Sequence, residues 1–230
     1  MLTEQFAEYV RACFAGIWIE TFEPDEALRE IAERRRRESW NLGTWDIEHG
    51  FSAVGECGGE SPIATTDPVA AIQAAGSLTS DDAPGVLVLQ NFHRLWGSLE
   101  VIQAMSRQIS HGKQNRTVLV VLAPVVQVPV ELEKQFVVIQ HELPDREQLQ
   151  TIAEEVATED GELPSGELLD RVLDSAAGLT RYEAEGAFSL SLVRHGRVEP
   201  DVIWSLKSQT LRNSGLLGLH RSNERFDQIG

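Results

Sequence analysis

Gly85-Val86-Leu87-Val88-Leu89-Gln90-Asn91 decides the reading of this chain. Val86 to Leu89 are apolar without polar alternation. That pattern predicts a strand covered on both faces, which is how parallel strands sit beneath helices. Val118 to Ala123 and Phe136 to Ile139 are further apolar runs of strand length, and Gly16 to Thr21 is an earlier one. Ser39-Trp40-Asn41-Leu42 reads as another short strand. Helical patterns lie between them. Pro24, flanked by acids, opens one that carries Ala27, Leu28 and Ile31 on one stripe and ends in Arg34 to Arg37, where cations suit the macrodipole. Asp67-Pro68 opens another through about Ala75, and residues 98–110 form a third. Residues 43–66, rich in Gly, Ser and Thr, read as a loop excursion. Strands alternating with helices predict an α/β fold with a parallel, doubly wound sheet.

The last third reads as helix alone. Asp145 and Gln148 have the spacing of a capping box, and Leu149, Ile152, Ala153 and Val156 follow on one face. Ser165 starts a second helix with Leu168, Leu169, Val172 and Leu173, stopped at Gly178-Leu179. Thr180 and Glu183 predict another capping box on a third helix that runs to His195-Gly196. Pro200 opens a fourth, with Val202, Ile203 and Leu206. The sheet region ends near residue 143.

Composition narrows the function classes. The 230 residues have ordinary globular fractions, 42% hydrophobic and 24% charged, which argues against wholesale disorder. Asp and Glu number 36 against 20 Lys and Arg. So acidic a surface repels phosphate backbones, which disfavours general nucleic-acid binding. No apolar run approaches the roughly 18 residues of a membrane span. The N-terminus is acidic and amphipathic, unlike a secretory signal. Cys13 and Cys57 are far apart with no CxxC, which fits a reducing cytoplasm.

An αβα core followed by a small helical lid resembles an AAA+ ATPase module of the P-loop NTPase type. Val86 to Leu89 with Gln90-Asn91 resembles its Walker B strand, and Val118 to Ala123 its sensor-1 strand. Pro129-Val130-Glu131-Leu132 through Leu143-Pro144-Asp145 resembles the passage into the lid. Gly178 to Ala184 resembles the start of the sensor-2 helix. More narrowly, Ile17-Trp18-Ile19-Glu20-Thr21, Trp40-Asn41-Leu42-Gly43 and Phe92-His93-Arg94-Leu95-Trp96 resemble the AAA ATPases of cyanobacteria, plastids and other bacteria known as conserved chloroplast reading frames. The resemblance implies a core over residues 1–143, a lid over 144–213, and a linker over 214–230 leading to a downstream catalytic AAA+ domain. It further implies ATP and Mg²⁺ for that parent protein. Its partners would be the downstream domain, neighbouring subunits of a homo-oligomer such as a hexamer, and a protein substrate or adaptor.

The nucleotide-site positions depart from an active ATPase. A P-loop needs G-x-x-x-x-G-K-[ST], whose amides cradle phosphate and whose Lys reaches the β/γ oxygens. The turn after the first strand is instead Thr21-Phe22-Glu23-Pro24-Asp25, with no Gly or Lys, two carboxylates and one missing N–H. Gln90 and Asn91 stand where an Asp would hold Mg²⁺ and a Glu would polarise water. Ala123-Pro124 replace the polar sensor-1 pair, and Lys134 is the cation of the arginine-finger region. Gly55 to Ser61 and Gly112-Lys113 read as ordinary turns. No catalytic residue, metal ligand or bound cofactor is therefore expected in this segment.

Other chemistry is not apparent. The six histidines have no metal-ligand spacing, and there is no G-x-S-x-G elbow. His93 follows a strand end and reads as structural, and Asp81-Asp82 as a solvated pair. The five tryptophans read as core or interface residues. Leu216-Leu217-Gly218-Leu219 is an apolar stretch within the linker. Three readings stay open: a non-catalytic AAA+ module serving oligomerisation, regulation or substrate recruitment; a module that binds nucleotide without hydrolysing it; and an unrelated flavodoxin-like domain.

Overall fold

A computed structural model describes residues 2–54 and 65–213. Helix α1 (Leu2–Arg11) precedes β1 (Gly16–Glu20), α2 (Pro24–Glu38) and the hairpin β2 (Asn41–Asp46) and β3 (Gly50–Val54). Then come α3 (Pro68–Ala74), a 3₁₀ turn, β4 (Gly85–Gln90), a second 3₁₀ turn over 92–95, α4 (Leu99–Asn115), β5 (Thr117–Ala123) and β6 (Val137–Gln140). The sheet runs β3-β2-β4-β5-β1-β6, parallel throughout except for the edge pair β2–β3.

The sheet separates two cores, and strand alternation assigns each side chain to one of them. Trp18, Leu87, Leu89, Leu119 and Val121 lie with Met105 and Ile109 of α4 and Ile72 of α3. Ile17, Ile19, Val86, Val88, Val120 and Leu122 lie with Phe6 of α1 and Ile31 of α2. All seven residues of β5 are buried. The non-alternating runs at 86–89 and 118–123 follow from this two-sided cover.

Several boundaries differ from the sequence expectation. Ser39 is not in a strand: it takes the left-handed conformation that ends α2, at φ 56°, and its N–H donates to the Arg35 carbonyl. The strand starts at Asn41. Residues 43–54 are not loop: they complete β2 and form β3. The turn between them is closed by the Asp46 carboxylate, which accepts the amides of Glu48 and His49 at 2.8 and 2.7 Å. Trp45 and Phe51, a directly opposed pair, go to the core. Small residues on the outer positions concealed this alternation.

Helix α4 runs five residues past the expected end, so Gly112-Lys113 lies within its last turn. A Cβ at Gly112 would meet the Thr117 carbonyl at 2.2 Å, so only glycine lets helix and strand approach this closely. Of the other motifs, Gly55 to Ser61, Leu216 to Leu219 and the linker 214–230 fall outside the described residues.

Residues from Leu143 onward form a separate compact unit. It contains α5 (Arg146–Val156), α6 (Glu167–Ala176), α7 (Arg181–His195) and α8 (Pro200–Asn213). Both capping boxes are present. Asp145 accepts the Gln148 amide at 2.9 Å while Gln148 accepts the Asp145 amide at 2.9 Å, and Thr180 and Glu183 do the same. Helix α6 begins at Glu167 after Gly166, two residues later than Ser165 suggested. Leu149, Ile152, Val172, Leu173, Phe188 and Ile203 make its core.

Leu173 is 2% exposed. Leu173→Ala should lower unfolding free energy by about 2–5 kcal/mol in urea titration, through lost transfer energy and the cavity left behind.

Candidate functional site

The order β6-β1-β5-β4 aligns the carboxyl ends of four parallel strands along one edge of the sheet. Ligands of open α/β sheets bind outside such ends. Register pairs Glu20 with Ala123 on one side and with Gln140 on the other, and Gln90 with Leu122. The edge therefore gathers all eight positions singled out in the sequence: Phe22, Glu23, Pro24 and Asp25 after β1, Gln90 and Asn91 after β4, and Ala123 and Pro124 after β5.

Only Thr21, Phe22 and Glu23 separate β1 from α2. The Thr21 amide donates to the Ala123 carbonyl at 2.8 Å, tying the turn to β5. The Thr21 hydroxyl accepts the Glu23 amide at 2.9 Å and is hydrogen-bonded to His141 Nδ1 at 2.8 Å. His141 in turn donates its amide to the Glu20 carbonyl, and its Nε2 lies 3.6 Å from a Glu30 carboxylate oxygen. Thr21 is 3% exposed, whereas Phe22 is 74% exposed. Pro24, the first residue of α2, has no amide to offer. Two amides of the turn are thus engaged within the chain, and the next position has none.

Across the edge, Asn91 takes the left-handed conformation at φ 51°. Its amide donates to the Leu122 carbonyl and its own carbonyl accepts the Arg94 amide. Gln90 is half-buried and Ala123 buried, and past Pro124 the chain exposes Val125 and Val126. Lys134 is not at this edge. It lines a concavity of about 550 Å³ at the opposite ends of the strands, with Lys113, Cys13 and Phe14.

Behind Asn91, Phe92 meets Trp45 and Trp96 edge to face, with centroids at 5.2 and 5.6 Å, and Trp96 lies 6.2 Å from Trp18. His93 is buried beside Phe92, and neither ring nitrogen has a hydrogen-bond partner among the described residues. Burial, and then the Arg94 cation, push its pKa below the ordinary histidine value. In the helical unit, Arg181 at the start of α7 is ion-paired with Glu155 and Glu185. Among the described residues no group of three His, Cys, Asp or Glu side chains could hold a metal ion.

Residues 2–141 match the family model described as the SpoVK-like AAA ATPase N-terminal domain, and residues 147–214 match the second domain of the same family. The chain belongs to the SpoVK-like AAA ATPases. The fold of this AAA ATPase chain is similar to solved AAA+ structures. One is PCH-2 of C. elegans, at TM-score 0.54 and 9% identity over 92% of this chain and 68% of that one. Another is RuvB of Thermotoga maritima, a Holliday junction branch migration motor, at TM-score 0.54 and 13% identity over 89% and 67%. At such identities the likeness is one of fold. No curated protein matches the chain by sequence.

His141 is the site residue that sequence reasoning missed. The histidines have no ligand spacing in sequence, and His141 lies 120 positions from Thr21. Its signal was positional: it directly follows the strand that borders β1.

Two outcomes test this geometry. Thr21→Val should cost about 1–3 kcal/mol in urea titration, because the Glu23 amide and His141 Nδ1 are left unpaired. For His93, a lowered folded pKa means that protonation favours the unfolded chain. Its contribution is full above the ordinary value of 6.5 and is lost as pH falls below it, until folded His93 itself takes a proton. His93→Phe should flatten the wild-type fall in unfolding midpoint between pH 7 and pH 5.

Proposed function

We propose that this chain is a non-catalytic AAA+ module. Residues 1–143 would be a degenerate core, 144–213 a lid, and 214–230 a linker to a downstream domain that takes ATP and Mg²⁺. The module retains packing surfaces and has lost phosphate chemistry. It serves oligomerisation, regulation or substrate recruitment for the catalytic domain, in a cytoplasmic homo-oligomer that engages a protein substrate or adaptor.

The observation that carries the reading is the three-residue β1–α2 turn. A triphosphate needs free backbone amides and a lysine at that point. Here the Thr21 amide serves Ala123, the Glu23 amide serves the Thr21 hydroxyl, and Pro24 has none. Half-buried Glu23 and exposed Asp25 add negative charge where phosphate charge would sit, and repulsion from the half-buried Glu23 costs several times its value in water. Two further features agree. Gln90 and Asn91 carry no charge for Mg²⁺, and Arg181 is already paired with two carboxylates. The acidic balance disfavours a nucleic-acid partner.

Substitution in the parent protein separates this reading from an active site. Gln90→Ala and Lys134→Ala should each leave ATP turnover within about twofold of wild type. A residue that stabilises phosphoryl transfer would cost about 10³-fold or more. A loss of that size at either position would overturn the proposal.

A further inference from the structure

Lys113, Lys134 and Lys207 are the only lysines among the chain's 20 basic residues. Two of the three line one concavity, the space of about 550 Å³ at the amino ends of the strands. Both are exposed, and neither has an ion pair or hydrogen bond among the described residues. No Asp or Glu lines that space, on a chain that carries 36 of them.

Three segments wall the space, and the fold holds them close. A Cβ on Gly16, at the start of β1, would meet the Gln135 carbonyl at 2.6 Å and Ile109 of α4 at 3.0 Å. Cys13, at φ 60°, turns the chain from α1 toward β1. Phe14, Ile109 and Phe136 supply apolar lining, and Phe14 stays 39% exposed. Gln135 supplies a polar group. Its Nε2 donates to Ser106 Oγ at 2.9 Å, while its buried Oε1 has no partner among the described residues. An unpaired buried acceptor is costly, and a ligand N–H or O–H would relieve it.

Charge narrows the class of ligand. The C-terminal ends of α1 and α4 border the space, each worth about half a negative charge, and two ammonium groups exceed them by about one charge. That balance suits one carboxylate and not a phosphate dianion. Apolar lining in a space of this size suits a small ring system. We propose that this concavity binds a small aromatic carboxylate, with the anion at Lys113 and Lys134 and the ring against Phe14 and Phe136. The inference goes beyond the reading of the nucleotide site and does not depend on it.

Cys13 lines the same space and is exposed, so its alkylation reports occupancy. In a Cys57→Ser chain at constant ionic strength, indole-3-acetate should slow the reaction of Cys13 with iodoacetamide severalfold. Half of the effect should fall on the order of 1 mM, the affinity expected of a ligand of that size. Tryptamine, the same ring with a cation, and inorganic phosphate, an anion without a ring, should each leave the rate unchanged. Lys113→Gln combined with Lys134→Gln should raise the half-effect concentration about fivefold or more. The unfolding midpoint of that variant should match the parent's, because both side chains are exposed and unpaired, which separates a lost site from a lost fold. Alkylation indifferent to indole-3-acetate overturns the proposal. So does equal protection by tryptamine or phosphate, or protection that the double variant retains in full.

Discussion

Everything in the core follows from burying β5 on both faces. Its run from Val118 to Ala123 is apolar throughout and buried, and its neighbours β1 and β4 are nearly the same. A strand covered above and below forces its connections to cross over through helices. Those connections must all leave from one edge and return at the other. The carboxyl ends of β1, β4, β5 and β6 therefore meet along a line, and whatever chemistry the fold carries is confined there. The same burial leaves Trp18, Trp45 and Phe92 as a plug beneath that edge, so it is backed by apolar side chains.

What distinguishes this AAA ATPase chain is how that edge satisfies its own polar groups. Strand ends carry amides and carbonyls that need partners. On our reading, a ligand's phosphates no longer supply them. Thr21, His141 and Ala123 close the end of β1 internally, and Asn91 closes the end of β4 against Leu122. His93 is a different case, since both its ring nitrogens are buried without a partner and burial keeps it neutral.

Much of this was legible because the deciding signals are local. The runs at 86–89 and 118–123 have no alternation, and two-sided burial is the reason. The boxes Asp145/Gln148 and Thr180/Glu183 lie within one helical turn and were readable as spacing alone. The β2–β3 hairpin was not, because Gly43, Thr44, Ser52 and Ala53 looked like loop while Trp45 and Phe51 carried the burial. Gly112 looked like a turn residue because the contact it permits, with Thr117, is tertiary. At the candidate site, the positions that follow β1, β4 and β5 could be placed along the edge from the strands alone. His141, after β6, could not, because its hydrogen bond with the Thr21 hydroxyl exists only once β6 docks beside β1.

Thermal unfolding of the 230-residue chain with and without millimolar ATP and Mg²⁺ tests the central claim most directly. Ligand at about 100 times its dissociation constant stabilises a folded chain by about 2.7 kcal/mol. For a protein of this size that raises the midpoint by roughly 5–10 °C. A β1–α2 turn with no lysine, a proline, two carboxylates, and the Thr21 and Glu23 amides already engaged predicts coincident unfolding curves. A rise of that size would contradict the account, because it would require a phosphate-binding surface that the Thr21 to Pro24 turn does not provide.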